Sequence, residues 1–126
     1  MAREFGGWEP LAYAERCRRR RAELTRRLDD FVAYCRAKPD IAVVVVFGSY
    51  ARNRISPWSD LDVLVVRDAA PDARRLDLVD DLYRESRLGS DIIAVPTSRF
   101  PEGLKATPFG RDILSDGMTV YARPAR

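Results

Sequence analysis

Histidine is absent from all 126 residues, which excludes a Ser-His-Asp or Cys-His relay, a His-ligated zinc site and an imidazole pH switch within this chain. Acid–base or metal chemistry therefore falls to carboxylates. Cysteine is nearly as scarce: Cys17 and Cys35 stand 18 residues apart on what reads as one helix, about 27 Å at 1.5 Å per residue, too far for a disulfide. No apolar run approaches the roughly 18 residues of a membrane span. The opening Met-Ala-Arg-Glu-Phe-Gly-Gly-Trp has no charged-then-apolar secretory pattern. The expectation is a cytoplasmic protein with no membrane contact, folded as one domain over 1–126.

Lysine is the third scarcity, since 20 of the 22 basic residues are arginine. Their distribution is uneven. Residues 1–38 hold ten Lys/Arg against six Asp/Glu, whereas 39–126 hold twelve against thirteen, so the formal charge of +3 is a +4 segment beside a nearly neutral one. A solvated helix face is favoured over an anion- or nucleic-acid-binding surface, and both readings stay open.

Pro10 suits a first helical turn, and nothing breaks a helix from there to Ala37. Cys17, Leu24, Leu28, Phe31 and Cys35, with Leu11 and Ala14 upstream, form one apolar stripe. Arg16, Arg18, Arg19, Arg20, Arg26 and Arg27 occupy the other side, a solvated one. This long amphipathic helix is the N-terminal extension (1–38) to a core at 39–122. Within that core Ile41–Phe47 reads as a strand buried on both faces. Tyr50–Arg54 reads as a short helix and Leu61–Val66 as a second strand. A helix starting at Pro71-Asp72 follows, with Leu76, Val79, Leu82 and Tyr83 on its packed face. Asp91–Val95 is a third strand, Thr107-Pro108 opens a helix to Leu114, and Met118–Tyr121 is an edge strand. The order predicts an α/β (α+β) fold with a small mixed sheet of three to four strands. The helix between the second and third strands predicts that those two run parallel.

Asp60 and Asp62 flank Leu61 at the mouth of the second strand, where period-two alternation points both carboxylates the same way. Asp91 opens the third strand, and parallel pairing brings it alongside. Three such carboxylates repel unless a divalent ion neutralises them, and hard oxygen donors suit Mg²⁺ or Mn²⁺. Gly48-Ser49 sits where a strand enters a helix: glycine lets backbone approach a ligand, and the helix start and the serine hydroxyl offer donors to a phosphate. Each feature alone is weak evidence. Arg52 and Arg54 lie within reach of a triphosphate or are solvated. Trp58, between the two motif halves, stacks on a base or, the favoured reading, packs or meets a partner.

Together Gly48-Ser49-Tyr50-Ala51-Arg52, ten residues from Gly48-Ser49 to the Asp60-Leu61-Asp62 pair, and the strand Val63–Val66 resemble the signature of the DNA polymerase β-like nucleotidyltransferase superfamily. Pro108-Phe109 through Ile113-Leu114 and Gly117 to Tyr121 resemble the closing stretch of its minimal nucleotidyltransferase branch. The likeness covers about residues 40–122. It implies that Asp60 and Asp62 bind two metal ions, that Asp91 completes the triad as ligand or base, and that Gly48 and Ser49 hold the phosphates, with Arg52 as a further nucleotide contact if it is not solvated; an N-capping or strand-edge role for Asp91 stays open. ATP with Mg²⁺ (Mn²⁺ as alternative) is the implied substrate and cofactor.

Larger superfamily members carry acceptor-binding domains, and minimal ones pair with all-helical HEPN toxins. The resemblance therefore implies an antitoxin that transfers AMP to a tyrosine of its partner toxin, in a hetero-oligomer. Two other classes of function remain: a non-catalytic module that neutralises a partner by binding, and nucleotidyl transfer to a small molecule or RNA with the basic helix as the RNA track.

Overall fold

A computed structural model describes residues 10–125. The opening octapeptide, Glu9 and the side chain of Leu11 lie outside the described residues. Among the described residues four helices, α1 (Pro10–Arg36), α2 (Gly48–Ala51), α3 (Arg75–Ser86) and α4 (Pro108–Asp116), alternate with four strands, β1 (Ile41–Phe47), β2 (Asp62–Arg67), β3 (Asp91–Pro96) and β4 (Met118–Ala122). Short 3₁₀ turns at Thr97–Arg99 and Glu102–Ala106 fill the link before α4, where no element was expected.

The sheet order is β3-β2-β1-β4. β1 runs antiparallel to β2 and to β4, while β2 and β3 are parallel, with α3 as the crossover. This is the mixed α/β sheet that the strand and helix pattern predicts. The Val-rich β1 is central and buried on both sides, as its lack of polar alternation requires.

On one face, Leu24, Leu28, Phe31 and Cys35 of α1 and Leu78, Val79 and Leu82 of α3 pack against Val44, Val46, Val63 and Val65. Burial of each large side chain here stabilises the fold by about 1.5–3 kcal/mol. The Leu24, Leu28, Phe31 and Cys35 part of the α1 stripe is thus in the main core, whereas Ala14 and Cys17 are only half-buried and lie outside it. On the other face Ile113 of α4 meets Val45, Phe47, Leu64 and Val66. Burial pushes the Cys35 thiol up to about 12, so it acts as a small apolar residue.

Two expectations change on α3. The Pro71-Asp72 pair lies in a turn rather than in the helix, which starts at Arg75. The packed face is Leu78-Val79-Leu82. Leu76 lies about 200° round the helix from Leu78 and is 71% exposed. The Tyr83 ring is also exposed, but its hydroxyl accepts the Ile92 N–H at 2.7 Å, satisfying an edge-strand donor on β3. At the far end of β2, the buried Arg67 is satisfied by Asp40, Asp81 and the Leu78 carbonyl, tying the α1–β1 link to α3.

Candidate active site

The antiparallel register sets Phe47 opposite Asp62, so the end of β1 and the start of β2 share one edge of the sheet. Gly48 turns the chain there with φ +76°, and a Cβ on it would collide with Asp62 Oδ2. Both facts demand glycine. Because the reversal takes a single residue, α2 begins at Gly48 itself rather than at Tyr50. The buried Tyr50 anchors this turn to α1: its hydroxyl meets Thr25 Oγ1 at 2.6 Å, and the Arg21 guanidinium lies 5.0 Å over its ring. Arg21 also donates to Asn53 Oδ1 at 2.7 Å.

The parallel register places Asp91 level with Asp62 on the adjacent strand. Burial, and after it the charges of Asp91 and Asp60, push the Asp62 carboxyl above its ordinary value, with Arg52 partly opposing them. Asp62 and Asp91 open into a cleft of about 590 Å³ whose walls include Gly48, Arg52, Arg75, Tyr83 and Phe109. Phe109 packs edge-on against Phe47, with ring centroids 5.8 Å apart, and remains more than half exposed. Among the described residues, neither Ser49 nor Arg52 has a side-chain hydrogen bond to protein, which leaves both donors available to a ligand.

Asp60 departs from the expected common direction. The strand starts at Asp62, so period-two alternation does not constrain Asp60. Its carboxylate turns to the α1 side of the sheet, where Oδ1 accepts from Arg20 Nη2 at 3.0 Å, with Arg27 Nη1 at 3.8 Å. Arg20 is correspondingly not on the solvated face of α1: its side chain is only 18% exposed. Trp58 does not pack either, being 72% exposed.

As the side chains stand, no three acidic or thiol groups among the described residues converge tightly enough to hold a metal ion. The donor set nevertheless fits one in part. Asp62 and Asp91 are level, all-oxygen donors whose mutual repulsion a divalent cation relieves, and the missing Cβ of Gly48 leaves Asp62 Oδ2 room.

Residues 28–118 match the family described as nucleotidyltransferase domain. The chain belongs to this family. The chain is 39% identical over 56 residues to a Methanocaldococcus jannaschii protein provisionally named a protein adenylyltransferase; the match covers 43% of this chain and 37% of that protein's length. Its fold is similar to a crystal structure from Sulfolobus solfataricus, provisionally named a nucleotidyltransferase, with TM-score 0.62, 20% identity, and 86% and 88% of the two chains covered. A weaker likeness, TM-score 0.39 at 20% identity over 84% of this chain and 72% of the other, is to a tri-AMPylated Shewanella oneidensis HEPN toxin in complex with MNT antitoxin.

Sequence reasoning missed Arg75, Tyr83 and Phe109 as cleft walls, and Arg20 as the partner of Asp60. Nothing in their local spacing marks them. The crossover geometry of α3 and the packing of α4 over the sheet bring the first three to the nucleotidyltransferase cleft. No helix among the described residues is long and apolar enough to cross a membrane.

Proposed function

We propose that this nucleotidyltransferase transfers AMP from ATP to a hydroxyl of a partner protein, with pyrophosphate leaving. The observation that carries the reading is the level pair Asp62 and Asp91 at the mouth of a cleft that also presents Gly48 and Arg52. In-line attack at an α-phosphate needs positioning and charge neutralisation more than covalent chemistry. The Gly48-Ser49 turn and Arg52 hold the phosphate tail. Phe109, exposed in the cleft wall, offers a face for the base. Asp91 accepts the proton of the attacking hydroxyl, and Asp60, Asp62 and Asp91 are the ligands for Mg²⁺ or Mn²⁺. When bound, two such ions supply charge stabilisation at the entering and leaving oxygens.

The acceptor in this reading is a tyrosine of an all-helical HEPN toxin, and the nucleotidyltransferase works as its cytoplasmic antitoxin in a hetero-oligomer. Transfer to RNA is less supported, because Arg18 and Arg19 on the outer face of α1 both pair with Glu15, which reduces the charge available to phosphates. Intact-mass spectrometry of the partner after incubation with ATP and Mg²⁺ is the test. Addition of about 329 Da per AMP, abolished by an Asp60→Ala/Asp62→Ala double variant, is the expected result by the chemistry of nucleotidyl transfer. No added mass, with the toxin still neutralised by the double variant, refutes transfer and leaves a binding module.

A further inference from the structure

Asp60 faces away from the cleft that the other two acidic residues share, and a side chain of α1 holds it there. Oδ1 of Asp60 lies 3.0 Å from Arg20 Nη2 and 3.8 Å from Arg27 Nη1. Arg20 is anchored independently, since its Nε donates to the Ser59 carbonyl at 2.6 Å and its Nη1 to Glu23 Oε2 at 3.2 Å. If Asp60 leaves, Arg20 keeps two partners and no half-buried cation is stranded. The loop before Asp60 is also held in place, because Ser59 Oγ accepts the Ser56 N–H at 2.8 Å.

We propose that Arg20 is a resident counter-cation for Asp60, holding this carboxylate against α1, and that a divalent cation at Asp62 and Asp91 draws Asp60 away from it. The proposal rests on the metal-dependent reading of the site. The electrostatic reason is that three carboxylates at one strand mouth repel. Arg20 compensates the one that can swing out, whereas Asp62 and Asp91 are set by strand register. The N-terminal helix thereby competes with the metal for a single carboxylate, so that charging the site and loosening the Arg20 contact are one event.

The competition has a definite sign. Removing the guanidinium makes metal binding tighter, by about two- to fivefold, the worth of a part-exposed ion pair. A residue that merely oriented Asp60 as a ligand would give the opposite sign, a loss of about 10- to 100-fold. Binding of Mn²⁺ alone, followed by the electron paramagnetic resonance of free Mn²⁺ at fixed ionic strength, separates these in wild type and Arg20→Gln. Arg18→Gln, which removes the same charge from the solvated face of α1, serves as control and is expected to leave the affinity within about 1.5-fold. Tighter binding by Arg20→Gln alone supports the proposal; unchanged or weaker binding by a folded Arg20→Gln overturns it. Should that variant not fold, the wild-type protein decides by carboxylate ¹³C and guanidinium ¹⁵N resonances during Mg²⁺ titration. The Asp60 carboxylate is expected to shift together with that of Asp62, while the Arg20 Nε–H, held by Ser59, stays. An Asp60 signal that ignores Mg²⁺ while Asp62 responds overturns the proposal. Absence of Mn²⁺ binding to wild type and variant alike overturns the metal reading, and this proposal with it.

Discussion

Gly48→Ala probes the junction on which the site is built. Two penalties act at this position. The backbone is at φ +76°, where an L-residue costs about 1–2 kcal/mol, offset by about 0.4–1 kcal/mol from the smaller entropy of the unfolded alanine chain. The new Cβ also collides with Asp62 Oδ2. That atom is the end of a side chain, so it yields by rotation and turns the steric penalty into a displaced carboxylate, worth about 1 kcal/mol more. The expected total is about 2 kcal/mol, or a fall in Tm of roughly 6–12 °C for a chain of this size. Urea denaturation of wild type, Gly48→Ala, Asp62→Ala and the double variant separates the two penalties. In the Asp62→Ala background only the backbone cost survives, so Gly48→Ala should cost about 1 kcal/mol less there. The AMP transfer proposed above should drop about 100-fold in the single variant, because misplacement of a positioning group by about 1 Å has that effect. A Gly48→Ala variant with wild-type stability, or one whose cost is the same with and without the Asp62 carboxylate, refutes the close approach of Gly48 and Asp62.

Two further outcomes are expected. Arg87 ends α3 in the left-handed region at φ 53°, so Arg87→Gly should raise stability by about 0.5–1 kcal/mol, read as a Tm rise; an unchanged or lower Tm contradicts this. At Asp81, burial pushes the carboxyl up, but hydrogen bonds from Arg67 and Lys38, and then their charges, override it and hold the group well below the usual carboxylate range. Its contribution is therefore complete above the unfolded value near 3.9 and is lost as pH falls through the lower folded value. Asp81→Asn should cost about 2 kcal/mol at pH 7, less than a fully buried pair because Arg67 retains Asp40. The difference from wild type should shrink below about pH 3.9 in denaturation curves. A gap that persists unchanged to pH 2 refutes it.

The elements whose identity depends on local pattern were legible in advance. A seven-residue apolar run, five of its residues β-branched, bounded by Pro39-Asp40 and Gly48 reads as a buried strand, and α1 shows its apolar stripe plainly. The parallel pairing of β2 and β3 was legible for a different reason: two strands joined through a 12-residue helix cannot form a hairpin. That pairing brought Asp91 level with Asp62. On α3 the expected Val79 and Leu82 are packed, but Leu78 takes the place expected of Leu76 and Tyr83, because side chains spaced on one helix can be centred on either of two neighbouring stripes and only the packing on the sheet selects between them.

By itself the sequence determined the nucleotidyltransferase motif, the strands that carry it and the meeting of Asp62 with Asp91, since these follow from short-range spacing and chain connectivity. Only the tertiary structure decided where Asp60 points and which residues wall the cleft. Asp60 lies just outside its strand, so no pleat constrains it, and its direction is set by Arg20, 40 positions away in sequence. Arg75, Tyr83 and Phe109 likewise reach the cleft through the packing of whole helices on the sheet. Contacts of that range depend on how elements are stacked, and local periodicity does not encode it.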